Sequence, residues 1–91
     1  VVSVDLINSG DLANLQVVPN PVQNGEMTLY LHETEIENAT LDVFDAVGRL
    51  VQRQVLLSNE TNIQVHNLPD GFYLFKVELN GKNISEKVII Q

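Results

Sequence analysis

Asn80-Gly81 constrains the fold of this chain more than any other feature. Both residue types tolerate positive φ, so the pair suits a two-residue type I′ loop, and the runs on either side are rich in β-formers. Counted outward from that turn, Leu79 is expected to face Lys82, Val77 to face Ile84 and Tyr73 to face Val88. The same register sets Phe75 against Glu86, which does not suit a buried face. A bulge near Ser85, or exposure of that end, would resolve the conflict. Tyr73, Phe75, Val77 and Leu79 share one side of the first strand by simple alternation.

The rest of the chain from Leu15 onward also reads as β. Val17-Val18 is stopped by Pro19-Asn20-Pro21, whose prolines fix φ and lack N–H donors, so they cannot lie in a central strand. Met27, Leu29 and Leu31 alternate toward one face, as do Leu41 and Val43 with Asp42 turned outward. Asp45 to Gly48 is a tight connection, Leu50 to Leu57 a return strand, and Ile63 and Val65 alternate with Gln64 and His66. Glu33, Glu35 and Glu37 put three like charges on one side of an extended segment, best read as a solvated loop or edge. Leu68-x-x-Gly71-x-Tyr73 fits a corner in which the tyrosine hydroxyl bonds back to the backbone, with Gly71 supplying backbone freedom.

About seven short strands, turns every eight to twelve residues and no helical periodicity predict an all-β fold, a small antiparallel immunoglobulin-like β-sandwich. Ninety-one residues suffice for one such domain. It is expected to occupy residues 15–91, with residues 1–14 a linker or the remnant of an upstream domain. The sequence begins without a methionine, so the chain reads as the C-terminal piece of something longer.

Charge and composition exclude several functions. The net charge is −7, which opposes binding to a phosphate backbone or an anionic membrane surface. Residues 1–70 carry ten acids and two arginines, whereas residues 71–91 carry three lysines and two acids, a contrast that chance over so short a segment would produce, or that a hairpin facing a different partner from the rest of the surface would require. No apolar run is long enough for a spanning helix. There is no cysteine, hence no disulfide framework and no thiolate metal site. His32 and His66 fall at strand ends without ligands at metal spacing, and no nucleophile elbow or glycine-rich phosphate loop occurs. The expectation is a non-enzyme without cofactor or metal. Tyr30, Phe44, Phe72, Tyr73 and Phe75 are the only aromatics, and most of them fit core positions.

Four motifs stand in order: Val18-Pro19-Asn20-Pro21; Leu41-Asp42-Val43-Phe44-Asp45-x-x-Gly48-Arg49-Leu50-Val51; Leu68-Pro69-Asp70-Gly71-Phe72-Tyr73; and Gly81-Lys82 with Lys87-Val88-Ile89-Ile90. Together they resemble the C-terminal sorting domain of the type IX (Por) secretion system of Bacteroidetes, type A, over residues 15–91. The resemblance implies a secretion signal on a cargo protein. The domain would cross the periplasm, pass the outer-membrane translocon to the cell surface or medium, and be removed by a surface sortase that links the cargo to lipopolysaccharide. Its implied partners are the translocon, the sortase and the upstream cargo. Its implied recognition residues are Pro19, Asn20, Pro21, Gly71, Tyr73, Lys82, Lys87, Val88, Ile89 and Ile90. The family often ends on Lys or Arg, where this chain ends on Gln91. A terminal strand at a sheet edge could add to a receptor's sheet, the lysines supplying charge specificity. Deleting Lys87 to Gln91 is then expected to abolish export while leaving most of the fold. The alternative is a non-catalytic binding or adhesion module of a surface protein.

Overall fold

The structure is a computed structural model that describes residues 15–32, 36 and 38–91. The alternation at Val2, Val4 and Leu6 and the cluster of Glu33, Glu35 and Glu37 lie outside these residues. Seven strands form: β1 (Leu15–Val18), β2 (Glu26–Leu31), β3 (Ala39–Phe44), β4 (Leu50–Val55), β5 (Glu60–Gln64), β6 (Gly71–Leu79) and β7 (Lys82–Ile90). They make two antiparallel sheets, one ordered β1-β2-β5 and the other β4-β3-β6-β7. The chain crosses between sheets at β2–β3, β4–β5 and β5–β6, which gives the immunoglobulin-like sandwich expected from the sequence.

Period-two alternation places the core. Leu15, Val17, Met27, Leu29, Leu31 and Ile63 of the three-stranded sheet are buried, and so are Leu41, Val43, Tyr73, Phe75, Val77, Leu79, Val88 and Ile90 of the four-stranded sheet. Burial of each large apolar side chain is worth about 1.5–3 kcal/mol, and no polar or charged residue among those described dilutes that layer. Strand β4 departs from the pattern, because Leu50, Val51 and Val55 are exposed at a sheet edge. Its register against β3 shifts between Val43 and Phe44, which breaks the alternation. The return strand also ends earlier than expected. After Val55, Leu56 turns into the core and donates its N–H to the Ala39 carbonyl, while Leu57 is exposed.

Two connections hold their shape by local chemistry. Asp45 Oδ1 accepts from the N–H groups of Val47 and Arg49, and the Gly48 N–H donates to the Asp45 carbonyl. The tyrosine corner is present, with the Tyr73 hydroxyl donating to the Pro69 carbonyl at 2.6 Å. Gly71 has φ +153°, and a Cβ there would meet nothing within 4 Å, so glycine is required for conformation and not for space.

The terminal hairpin has the expected register, with Asn80 at φ 49° and Gly81 at φ 88° in the turn. Nine residue pairs run from Leu79↔Lys82 to Gly71↔Ile90 without a shift. Phe75 does face Glu86 with no bulge between them, and that end of the hairpin is not exposed either. Phe75 is fully buried, whereas Glu86 is half-buried, and its partial burial pushes the carboxyl above the usual glutamate range.

A carboxyl whose folded-state pKa is raised binds protons more tightly in the folded state, so stability falls as pH rises through the raised value. Glu86→Gln removes that cost. In urea denaturation the variant is expected to be more stable than the parent at about pH 7, the difference closing as pH drops below the ordinary glutamate range. The ion-paired Asp42 and Asp45, held below the usual carboxylate range by hydrogen bonds from Arg53 and Arg49, are common to both proteins and cancel. A difference independent of pH would show that Glu86 is not strained by burial.

Candidate functional site

The proline motif and the end of the chain meet at one edge of the four-stranded sheet. Strand β7 pairs with β6 on one side only. Because Leu79 and Lys82 flank a two-residue turn, the even-numbered residues of β7 exchange backbone bonds with β6 and the odd-numbered ones point away. On that outer side the Asn20 carboxamide takes the place of a neighbouring strand. Its Nδ2 donates to the Lys87 carbonyl at 3.0 Å, and its Oδ1 accepts from the Ile89 N–H at 3.1 Å. Val22 then continues as a parallel bridge. Its N–H donates to the Ile89 carbonyl at 2.7 Å, and its carbonyl accepts from the Gln91 N–H at 2.7 Å. Pro19 and Pro21, each after a cis peptide bond, flank Asn20, and Val22 is fully buried.

This clamp closes the β7 edge from the Lys87 carbonyl to Gln91. Further back on the same edge, the backbone groups of Asn83 and Ser85 and the Lys87 N–H face no partner among the described residues. The terminal strand is therefore half covered and half open.

Nine of the ten residues singled out from the sequence gather at this end. Gly71 pairs with Ile90 and Tyr73 with Val88, while Pro19, Asn20 and Pro21 lie against Lys87 to Gln91. Lys82 does not join them; it lies at the turn end of β7, five residues and roughly 17 Å from Lys87. The group also divides by access. Tyr73, Val88 and Ile90 are buried, whereas Pro19, Asn20, Pro21, Lys82 and Lys87 are exposed and Gly71 and Ile89 are half-exposed. Removing Lys87 to Gln91 would thus strip two core side chains and every partner of Asn20 and Val22, contrary to the expectation that most of the fold survives.

A second expectation needs correction. Only Tyr73 and Phe75 among the aromatics are in the core. Tyr30 and Phe44 are half-buried, and Phe72 is 53% exposed. Alternation from Gly71 sends Phe72 and Leu74 to the outer face of β6, where Lys87 Nζ lies 4.5 Å from the Phe72 ring centroid. The signal was present in the sequence, since a strand reading Phe-Tyr-Leu-Phe with its odd positions inward must show its even apolar residues to solvent. Both histidines are exposed; His32 stacks near Tyr30 and lies 3.4 Å from Gln16 Oε1. No group of His, Asp and Glu capable of holding a metal occurs among the described residues.

Comparison with known proteins agrees with this fold. The family model described as the secretion system C-terminal sorting domain matches residues 16–91. A funoran endo-beta-hydrolase of Wenyingzhuangia aestuarii is 28% identical over 90 residues, covering 98% of this chain and 12% of that protein. The chain thus spans about an eighth of that curated relative. Among solved structures, a DUF3244 family protein from Bacteroides vulgatus with an immunoglobulin-like β-sandwich fold superposes with TM-score 0.68 at 16% identity, covering 86% of this chain and 84% of that one. PorZ, a surface component of the type IX secretion system of Porphyromonas gingivalis, superposes with TM-score 0.64 at 18% identity, covering 92% of this chain and 12% of that one. These two likenesses establish the fold.

The clamp makes a direct prediction. Asn20→Ala removes two hydrogen bonds and leaves edge groups of β7 without their partner, a loss of about 1–2 kcal/mol in urea denaturation. Amide exchange at Ile89 is expected to accelerate more than exchange at Val77 in the sheet centre. Asn20→Asp keeps an acceptor for the Ile89 N–H but offers no donor to the Lys87 carbonyl, so it should fall between. Unchanged exchange at Ile89 in Asn20→Ala would show that the clamp contributes nothing.

Proposed function

We propose that this chain, which belongs to the secretion system C-terminal sorting domain family, is read by the outer-membrane translocon of the type IX system at the clamped end of its terminal hairpin. As a member of that family it is a secretion signal of a cargo protein, and it directs export toward the cell surface or the extracellular space. Family and fold together support a non-catalytic module. No helix among the described residues is long and apolar enough to cross a membrane.

The observation that carries the proposal is the convergence of Pro19-Asn20-Pro21 with Lys87 to Gln91, two motifs that the sequence separates by more than sixty residues. Within this group the exposed Pro19, Pro21 and Lys87 and the half-exposed Ile89 are available for contact. The buried or clamping ones, Asn20, Gly71, Tyr73, Val88 and Ile90, act by holding the strand in place. Lys82, at the far end of the hairpin, would touch a different part of any receptor. The open backbone at Asn83, Ser85 and Lys87 offers a short edge for strand addition, whereas the clamped half does not. After passage through the periplasm and the translocon, a surface sortase would cut within residues 1–16 and transfer the cargo to lipopolysaccharide. The size relation to the hydrolase relative supports a small module on a much larger cargo.

A transplant tests this reading. Residues 1–91 are fused behind a periplasmically exported fluorescent protein and expressed in a bacterium with and without a working type IX translocon. Surface or medium fluorescence that requires the translocon is the expected result. Fluorescence held in the periplasm of both strains, with the domain folded, would refute the sorting role and favour a binding or adhesion module.

A further inference from the structure

The outer face of the four-stranded sheet is organised in rows that cross the strands. One row runs Arg53, Asp42, Lys76, Ser85, and the next runs Leu50, Phe44, Leu74, Lys87; below them Phe72 pairs with Ile89. Leu50, Phe72 and Leu74 are 46%, 53% and 42% exposed, and Phe44 is half-buried on the same side without joining the core. Phe44, Phe72 and Leu74 line a shallow concavity with Lys76 and Lys87. A contiguous apolar surface of this kind, containing an exposed aromatic, is a cost to an isolated domain and a usual mark of a contact surface.

The charges on this face select its partner. Asp42 is taken by a bidentate pair with Arg53, at 2.8 and 3.1 Å, and Asp45 by Arg49. Lys76 lies opposite Asp42 across β3 and β6 and helps hold that carboxyl low without forming a close ion pair, and Lys87 forms no ion pair among the described residues, although the chain as a whole carries −7. Two of only five cationic side chains therefore flank the apolar patch. The aliphatic part of the patch offers no hydrogen bonds to a sugar, so it fits apolar side chains better than a glycan.

We propose that the outer face of the four-stranded sheet, centred on Phe72 and flanked by Lys76 and Lys87, docks an extended protein segment of the export apparatus that carries alternating apolar and acidic side chains. The apolar side chains cover Phe72, Leu74 and Phe44, and the acids pair with the two lysines. This rests on the sorting role and goes beyond it by naming the surface and the chemistry of what it meets.

The test has two arms. In the first, the 91-residue chain is titrated with a synthetic peptide of alternating Leu and Glu, and amide shifts are followed by NMR. Shifts are expected at Phe44, Phe72, Leu74, Lys76 and Lys87. Lys87→Glu and Phe72→Ser should each weaken binding about tenfold, as for loss of a central contact. A peptide of alternating Leu and Lys should not bind. Shifts elsewhere, equal binding of both peptides, or tighter binding of polygalacturonate at the same amides would overturn the proposal. In the second arm, the same variants are placed in the fluorescent fusion. With urea midpoints near that of the parent, they should lower translocon-dependent surface signal about tenfold, whereas Leu57→Ser, exposed away from this face, should not. Parent-like export of both variants would overturn the docking face while leaving the sorting role intact. Failure of the parent fusion itself would refute the sorting role, with the peptide arm still deciding what the face binds.

Discussion

The outer edge of β7 decides whether this sandwich is closed. A last strand paired on one side only exposes a row of donors and acceptors, the arrangement that invites pairing with another chain. Here the Asn20 carboxamide and the Val22 backbone occupy half of that row, from the Lys87 carbonyl to the Gln91 N–H. Because they follow directly on β1, they also tie the three-stranded sheet to the four-stranded one along that side. The opposite seam has its own tie, in which Gln52 Nε2 of β4 donates to the Gln64 carbonyl of β5. The apolar layer between the sheets contains no buried polar residue among those described, so its attraction is non-directional. These polar seams are what fix one sheet relative to the other.

What could be read from the sequence follows the range of the interaction involved. The hairpin register was legible because a two-residue turn sets it with local chemistry alone, and the pairs from Leu79↔Lys82 onward follow by counting. The tyrosine corner was legible for the same reason, since Tyr73 and Pro69 are only four residues apart. The inward faces of β2, β3 and β6 followed from alternation. Asn20 was legible as part of a turn and as a family motif, but not as the partner of Ile89, because nothing local signals a contact across 69 residues. The expectation that most of the five aromatics fit core positions failed for a different reason. Most of the aromatics were assigned to the core by type, whereas the period of β6 had already placed Phe72 outside.

The division between inner and outer residues of β7 changes how the family motif should be understood. Val88 and Ile90 belong to the core, and Lys87 and Ile89, between them, belong to the outer face. A one-residue slip of the strand would exchange the two sets, burying Lys87 and exposing Val88. The clamp by Asn20 acts on Lys87 and Ile89 through their backbone groups, so it fixes which residues face outward without using their side chains. Pro19-Asn20-Pro21 is thus tied to the terminal motif by a structural dependence and need not be a separate point of contact.

That dependence has a consequence for what a receptor can sense. Lys87 lies over the Phe72 ring only when β7 is paired to β6 in the observed register, with Leu74 opposite Lys87 and Ile89 opposite Phe72. The same register buries Val88 and Ile90 and presents Ile89 to the Asn20 carboxamide. A partner that meets Lys87 beside Phe72 therefore meets a surface contributed by two strands, and an unfolded or slipped chain cannot present it even though it contains every residue of the motif. A linear peptide of the terminal residues would offer the lysine without the aromatic ring. On the proposed docking mode, recognition is conditional on the completed hairpin, so the address is carried by the folded sheet and not by the tail sequence alone.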